Sequence, residues 1–206
     1  MRYEVRHRTT YRYGQPVSIS HHVLHLAPRP CERQVCHASS VSVSPAAAVR
    51  TDSVDYFGNP VTFLTIQEQH DELVIDARSS LDVVAPPDWP PGNTTPWDLV
   101  FDRLSSGVSQ QSLATLQFAF DSPYTRTDTD LAAYARPSFP PGRPILEAAL
   151  ELTGRIHRDF RYQSGSTNVS TPVDEVFRLR RGVCQDFAHL ELACLRALAL
   201  PARYVS

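Results

Sequence analysis

The chain lacks most of the features that mark membrane, nucleic-acid-binding and disulfide-rich proteins. Its 206 residues contain no apolar run near the ~20 residues of a membrane-spanning helix. A net charge of −2 provides no basic surface for nucleic acid, and four cysteines are too few for a disulfide scaffold. The first residues also lack the apolar stretch of a signal peptide. We therefore expect a cytoplasmic globular protein without nucleic-acid or membrane partners.

Common cofactor and metal motifs are missing as well. There is no phosphate-binding glycine loop, no GxSxG and no HExxH, so no cofactor is implied. A metal site would have to use the histidines and cysteines of residues 21–37, whose spacing is not a standard zinc pattern. Because neighbours on a strand point to opposite faces, His21 and His22 do not easily share a metal. We predict no metal site and interpret these histidines as residues on a sheet surface.

Residues 1–84 have the pattern of β-strands. Between Arg2 and Tyr11, aromatic, β-branched and histidine side chains alternate with mainly charged ones, which is the period of a strand. Further β-branched runs follow, separated by turn residues such as Gly58-Asn59. The predicted fold of this region is an N-terminal antiparallel β-sandwich.

Residues 85–140 resemble a joint with some helical structure. Residues 85–97 include five prolines, which predicts a semi-rigid segment. Trp89 and Trp97 are expected to hold it against a neighbouring surface. Short helices are predicted near residues 113–120 and 131–135.

Residues 141–206 have helical periodicity. Pro144 suits a first helical position, and the apolar face beyond it comprises Ile145, Ala149, Leu152, Ile156 and Phe160. Thr171 is predicted to cap a short helix that runs through Phe177. The next helix starts near Cys184 and stops before Pro201, and residues 202–206 are predicted to enter a strand. The whole chain is therefore predicted to be α+β.

Cys184 is the candidate nucleophile. At a helix start the backbone N–H groups are unpaired and the helix dipole is positive, which favours a thiolate. Arg178, Arg180 and Arg181 would add positive charge. A helical wheel nevertheless places Cys184 at the beginning of the apolar face, where a cysteine is usually a small buried hydrophobic residue. Cys194, in the middle of the same face, is interpreted as packing.

Residues close to Cys184 in sequence are poor partners for it. His189 lies about 140° away around the helix and Asp186 about 200° away. Asp186 is expected instead to satisfy the helix start as a first-turn carboxylate. His157, on the preceding helix, is a weaker alternative base. Glu191 falls inside the apolar arc, and we hypothesise a buried ion pair with Arg203 or Arg155. The alternative is that Glu191 faces a gap left by missing strands and is in contact with water.

A family resemblance favours the nucleophile. The stretch GVCQDFAHLELACLRALALPARYVS, preceded by FRYQSGSTNVSTPVDEVFRLRR, resembles the transglutaminase-like superfamily of papain-type thiol enzymes. The stretches TTYRYGQPVSISHHVLHLAPRP and DYFGNPVTFL resemble the bacterial β-domain that precedes such cores. The resemblance implies a partial papain-like core in which helices lead into a sheet. It also implies a Cys-His-Asp triad with Cys184 as nucleophile, and a protein or peptide substrate with a carboxamide or peptide bond.

In that family the triad His and Asp follow the segment that ends here at Ser206. We therefore predict a truncated core with little or no turnover by this chain alone. The alternative is a non-catalytic protein in which the β-domain is an interaction module and the core is a degenerate scaffold.

Overall fold

The computed structural model describes residues 1–107 and 109–205. The chain forms two compact units, the first Met1–Asp88 and the second beginning at Trp89. Strands make up the first unit and helices most of the second, so the predicted α+β class is confirmed. We predicted a separate joint at residues 85–140; of these, residues 85–88 group with the first unit and residues 89–140 with the helical unit. Ser206, the last residue of the predicted core, lies outside the described residues.

The first unit consists of two antiparallel sheets of three strands each. One sheet has the order β1-β6-β3 and the other β2-β5-β4. Leu64 and Ile66 from one sheet and Leu73 and Ile75 from the other are buried in a common cluster. Full burial of each such side chain stabilises the fold by about 1.5–3 kcal/mol, and the predicted sandwich is confirmed. The strands are β1 (Arg2–Val17), β2 (Ser20–Leu24), β3 (Gln34–Ser44), β4 (Val49–Val54), β5 (Pro60–Ile66) and β6 (His70–Val83).

The predicted Gly-Asn turn joins β4 to β5. Gly58 has φ +80°, a left-handed conformation that suits glycine. The Asp55 carboxylate accepts hydrogen bonds from the backbone N–H groups of Phe57 and Asn59, both at 2.8 Å. This local carboxylate holds the turn, so the turn needs few tertiary contacts.

The tryptophans of the proline-rich segment behave differently from one another. Trp97 donates its indole N–H to the carbonyl oxygen of Pro140 at 2.8 Å and lies edge-on to Phe139, with ring centroids 5.6 Å apart. This tryptophan therefore holds the segment as predicted. Trp89 is 67% exposed, so the same prediction for Trp89 is wrong.

Helices surround a single apolar core in the second unit. Leu131 and Ala135 of α3, Leu152 of α4, and Leu190 and Cys194 of α6 are completely buried in it. The helices are α1 (Val100–Ser106), α2 (Gln110–Leu116), α3 (Thr129–Ala135), α4 (Ile145–Asp159), α5 (Val173–Leu179) and α6 (Cys184–Ala197); two short strands, β7 (Arg161–Tyr162) and β8 (Arg181–Gly182), lie beside α5 and α6.

Two predicted helix starts are displaced by one residue. Pro144 and Pro172 both have extended ψ angles and precede the first helical residue. Thr171 does not cap α5, because its hydroxyl accepts a hydrogen bond from the backbone N–H of Asn168. The hydroxyl is thus used within the preceding loop.

The segment after α6 is held by an arginine and does not form the predicted strand. Residues 201–205 have no regular secondary structure. Arg196 donates two hydrogen bonds to the carbonyl oxygen of Ala202, at 2.8 and 3.2 Å, and another to the Thr125 hydroxyl at 2.5 Å. The backbone N–H of Ala202 donates to the carbonyl oxygen of Phe118. The strand prediction is wrong for residues 202–205, and at Ala202 the backbone N–H and the carbonyl oxygen bond to Phe118 and Arg196 instead of a neighbouring strand.

Across residues 1–107 and 109–205, no helix combines the length and the apolar character that crossing a membrane requires.

Candidate active site

The candidate site lies where two short parallel strands meet the start of α6. β7 pairs in parallel with β8. The backbone N–H of Arg161 donates to the carbonyl oxygen of Arg180 at 2.9 Å, and that of Gln163 donates to Gly182 at 2.9 Å. These bonds fix the backbone immediately before Cys184, which is the first residue of α6.

Cys184 presents an exposed thiol at this helix start. The wheel-based prediction that Cys184 begins the buried face is therefore wrong. A side chain in the first helical position has no preceding turn to cover it, so its exposure depends on neighbouring segments rather than on periodicity. The first backbone N–H groups of a helix have no intrahelical acceptor and can stabilise negative charge nearby. In the described part of the chain, no hydrogen bond joins the Cys184 Sγ to a histidine.

Asp186 stabilises the helix start. The side chain is buried, with 4% exposure, although the wheel placed Asp186 on the opposite side from the apolar arc. Its Oδ2 accepts hydrogen bonds from the Val183 backbone N–H at 2.7 Å and from the Thr167 hydroxyl at 2.5 Å. Val183 has no side-chain acceptor, so only the carboxylate half of a capping box exists here. The prediction that Asp186 serves the helix start is confirmed.

Gly182 makes the buried position of Asp186 possible. A Cβ added to Gly182 would lie 2.7 Å from Oδ2 and 2.9 Å from Cβ of Asp186. Any larger residue at position 182 would therefore displace the carboxylate. The Gly-Val-Cys-x-Asp spacing is explained by this close approach: the glycine leaves room for the carboxylate that caps the helix carrying the cysteine.

The other thiols differ from Cys184 in clear ways. Cys194 is completely buried in the core, and burial, with a further contribution from Glu191, raises the pKa of Cys194 to about 12. Its predicted packing role fits this position. Cys31 and Cys36 are exposed and belong to the β-unit. Cys184 is thus the exposed thiol at a helix start.

His189 is engaged by aromatic side chains. Its ring stacks on Tyr124 with centroids 5.8 Å apart and packs edge-on to Tyr204 at 5.5 Å. Burial lowers the pKa of His189 despite the opposing effect of Asp186. His157 is exposed on α4. Neither histidine forms a hydrogen bond to Cys184 within the described residues.

Arg180 contributes to a different cluster from the one we predicted. Its guanidinium lies 4.1 Å from the ring centroid of Phe177, 4.7 Å from Phe160 and 5.2 Å from Tyr134. The residue adopts a left-handed conformation with φ 53° at the end of α5. Arg180 therefore packs α5 onto the aromatic core, and the predicted contribution of its charge to Cys184 is not supported.

The same aromatic cluster includes a constrained tyrosine. Tyr134 donates its hydroxyl to Asp159 at 2.8 Å, and Arg155 lies 4.5 Å from its ring centroid. Burial and the hydrogen bond to Asp159 raise the pKa of Tyr134. Phe160 also packs edge-on to Phe187 of α6. These contacts support the first turns of the helix that carries Cys184.

Glu191 does not form the predicted ion pair. Its carboxylate accepts a hydrogen bond from the Thr153 hydroxyl of α4 at 2.7 Å. Arg155 instead donates to the Ser138 hydroxyl, and Arg203 lies over the Phe118 ring. Burial raises the pKa of Glu191, and the Thr153 hydrogen bond lowers it by less. The position is only half-buried, so a neutral hydroxyl and water suffice in place of a cation.

The histidines that we weighed as metal ligands make separate contacts. His21 pairs with the Thr65 hydroxyl at 3.0 Å, His22 with the Ser20 hydroxyl at 2.9 Å, and His37 with Asp82 at 2.6 Å. Among residues 1–107 and 109–205, no three His, Cys, Asp or Glu side chains gather into a group that could hold a metal ion.

The sequence did not predict that a polar loop would lie beside the helix start. Residues 165–168 and 170–172 of the loop 163–172 border an open depression of about 450 Å³, to which Glu175 of α5 also contributes. Sequence alone showed this segment only as a polar loop. In the sequence, only Asp186, three positions after Val183, indicated that a carboxylate would cap α6. The lining includes the side chains of Ser166, Thr167, Asn168, Ser170, Thr171 and Glu175.

Each of the two compact units contains a match to a known protein family. Residues 3–82 match the family described as the bacterial transglutaminase-like N-terminal region. Residues 132–206 match the transglutaminase-like superfamily. Each match falls mainly within one of the two compact units.

Individual relatives and a solved structure extend the comparison. Uncharacterized proteins of Mycobacterium tuberculosis and Mycobacterium bovis are each 44% identical over 212 residues, covering 100% of this chain and 65% of their own length. An uncharacterized protein of Mycobacterium leprae is 29% identical and is covered over 70% of its length. A crystal structure from Cytophaga hutchinsonii, described as a candidate cysteine protease, has a TM-score of 0.75 at 23% identity, covering 98% of this chain and 65% of that one. At this identity the similarity shows the fold alone.

Proposed function

Because this chain belongs to the transglutaminase-like superfamily, we propose that Cys184 is the nucleophile of a thiol acyl-transfer enzyme. The observation that supports the proposal best is the exposed thiol of Cys184 at the first residue of α6. The substrate would be a protein or peptide with a carboxamide or peptide bond. The cytoplasmic location expected from the sequence stays a prediction.

The reaction would proceed through a covalent thioester. The Cys184 sulfur attacks the carbonyl carbon after its proton passes to a base, and backbone N–H groups at the helix start stabilise the oxyanion. Collapse expels the amine or ammonia, which takes up the proton, and leaves an acyl-thioester. Attack by water gives hydrolysis, and attack by an amine gives transamidation.

The base and its orienting carboxylate are also proposals. The family resemblance implies a His and an Asp, which we expected beyond Ser206. The chain spans 65% of the length of its relatives from Mycobacterium tuberculosis and Mycobacterium bovis. We propose the acyl-transfer activity for the whole protein, with the protein or peptide substrate that the family resemblance implies.

Alkylation of the intact chain tests the nucleophile. Cys31 and Cys36 are exposed thiols outside the site and serve as internal controls in the same molecule. A helix dipole stabilises an adjacent anion by about 0.3–1 kcal/mol, so iodoacetamide at neutral pH should modify Cys184 about two- to fivefold faster. Peptide mass analysis gives the three rates. A Cys184 rate no higher than those of Cys31 and Cys36 would contradict the proposal.

Turnover by the full-length protein separates the two outcomes of the thioester. Residues 1–206 contain no lysine, so no side chain in this part of the protein competes with the added amine as acceptor. A fluorescent amine incorporated into a glutamine-containing peptide indicates transamidation, whereas ammonia release without incorporation indicates hydrolysis. Cys184→Ser should abolish both. Activity that persists in Cys184→Ser would contradict the assignment.

A further inference from the structure

Two threonine hydroxyls tie α6 to other parts of the second unit. Thr167 donates to Asp186 at 2.5 Å and Thr153 donates to Glu191 at 2.7 Å. Each joins a threonine hydroxyl to a carboxylate of α6, but the Thr153 hydroxyl also lies 2.9 Å from the carbonyl oxygen of Ala149, so its single proton has two acceptors. Only the Thr167 bond reaches the first turn of the helix, beside Cys184.

The Thr167 bond is the side-chain connection between the polar loop and α6. Other side-chain hydrogen bonds of the loop stay inside it: Ser166 donates to the carbonyl oxygen of Gln163 at 2.7 Å, and Asn168 accepts from Ser170 at 2.6 Å. Within the described residues 163–172, the bond from Thr167 to Asp186 is the one side-chain hydrogen bond that leaves the loop. Loss of this bond would free the middle of the loop while its local turns persist.

Asp186 has little freedom to compensate for such a loss. The same Oδ2 atom accepts from Thr167 and from the Val183 backbone. Gly182 lies so close that even an added Cβ would contact the carboxylate. The carboxylate is therefore fixed, and the position of the loop follows from it.

We propose that Asp186 is a positioning residue that holds loop 163–172 through Thr167, so that the polar loop forms one wall of the site around Cys184. This inference rests on the proposed function of Cys184. The depression beside this loop is lined by hydroxyl and amide groups and by Glu175. Cys184 is not part of that lining, and the loop reaches the first turn of α6 through the bond from Thr167 to Asp186. We therefore expect this side of the site to favour hydrogen-bonding substrate groups and to restrict the approach of bulky apolar groups to the thiol.

The test compares two reagents on one thiol in the intact chain. Rates of Cys184 modification are measured with iodoacetamide, which is small, and with N-phenylmaleimide, which is bulky and apolar. Thr167→Val removes the hydroxyl and keeps the side-chain shape, and Thr153→Val is the matched control for the other threonine–carboxylate bond. We expect the bulky-to-small rate ratio to rise about threefold or more in Thr167→Val, as for the loss of one hydrogen bond, and to stay at the wild-type value in Thr153→Val.

An unchanged ratio in a natively folded Thr167→Val variant would overturn the inference, as would an equal rise in Thr153→Val. Near-UV circular dichroism establishes native folding. If Thr167→Val does not fold, Thr167→Ala removes the hydroxyl without placing a methyl group against the carboxylate and is held to the same criterion. Thr167→Ser keeps the hydroxyl and should retain the wild-type ratio. The proposed function concerns the rate of Cys184 relative to Cys31 and Cys36, so either proposal can fail while the other stands.

Discussion

Substitution of Gly182 by alanine should destabilise the helical unit. The new Cβ would lie 2.7 Å from Oδ2 and 2.9 Å from Cβ of Asp186, and Cβ cannot move without the whole side chain. Asp186 would lose its hydrogen bonds to Val183 and Thr167. Hydrogen bonds to charged groups contribute about 1.5–3 kcal/mol each to stability. Replacing glycine by alanine also lowers the conformational entropy of the unfolded chain, which stabilises the folded state by about 0.4–1 kcal/mol. With partial rehydration of the displaced carboxylate, we expect a net loss of about 2–4 kcal/mol.

Urea unfolding followed by tryptophan fluorescence measures this loss. Both tryptophans, Trp89 and Trp97, belong to the helical unit, so the signal reports the unit that contains the substitution. Gly154→Ala is the matched control, because a Cβ there would meet only Arg158 Nη1 at an ordinary 3.6 Å. In the interior of α4, this control should stabilise the protein by about 0.5–1 kcal/mol, which is the opposite sign.

A double-mutant cycle with Asp186→Gly identifies the cause, because this change removes Oδ2, Cγ and Cβ of Asp186, all of which the new Cβ would meet. If Gly182→Ala acts by displacing the carboxylate, it should cost little once the carboxylate is absent, and the two changes should be strongly non-additive. Additive losses, or a Gly182→Ala variant within about 0.5 kcal/mol of the wild type, would refute the close-approach explanation of the Gly-Val-Cys-x-Asp spacing.

Two further predictions concern the rest of α6. Arg196 donates hydrogen bonds to Ala202 and Thr125. Arg196→Met should therefore lower the free energy of unfolding by about 1.5–3 kcal/mol and raise the rate of tryptic cleavage after Arg203. The control Arg158→Met, on the exposed part of α4, should change neither quantity. The raised pKa of Glu191 means that the folded state binds its proton more tightly than the unfolded state. The stability contributed by protonated Glu191 is therefore lost as pH rises from the ordinary carboxyl value of 4.5 through the folded pKa. Glu191→Gln should remove this pH dependence and increase stability at neutral pH relative to the wild type, and an unchanged pH profile would contradict the sign.

Local pattern was sufficient where one periodicity applied over a long segment. The alternation that begins at Arg2 predicted a strand, and β1 extends to Val17. The apolar residues from Ile145 onward predicted the helix found as α4, although the completely buried alanine is Ala148 rather than Ala149. The start of α6 at Cys184 was also predicted, because the change from a Gly-Val step to helical spacing is local.

Errors arose where burial depends on a segment that is distant in sequence. The wheel exposed Asp186 and buried Cys184, whereas the structure does the reverse. Thr167 of the loop 163–172, which lies 19 residues before Asp186 in sequence, bonds to its carboxylate. The periodicity of α6 contains no information about that loop. We hypothesised a cationic partner for Glu191 because the helical wheel placed Glu191 on the apolar face of α6. The donor to its carboxylate is instead the Thr153 hydroxyl on α4.

Local sequence was enough to predict the two kinds of secondary structure, the antiparallel sandwich and the helix that begins at Cys184, because backbone propensity and hydrophobic period act over neighbouring residues. The stretches around Cys184 and in the β-domain also carried the resemblance to the family. What the spacing of Gly182, Cys184 and Asp186 does became clear from the folded chain. The glycine must be small because the buried carboxylate lies against it, and the carboxylate is buried because a threonine of a separate loop donates to it. Such contacts depend on how segments meet in space, and no local pattern encodes that meeting.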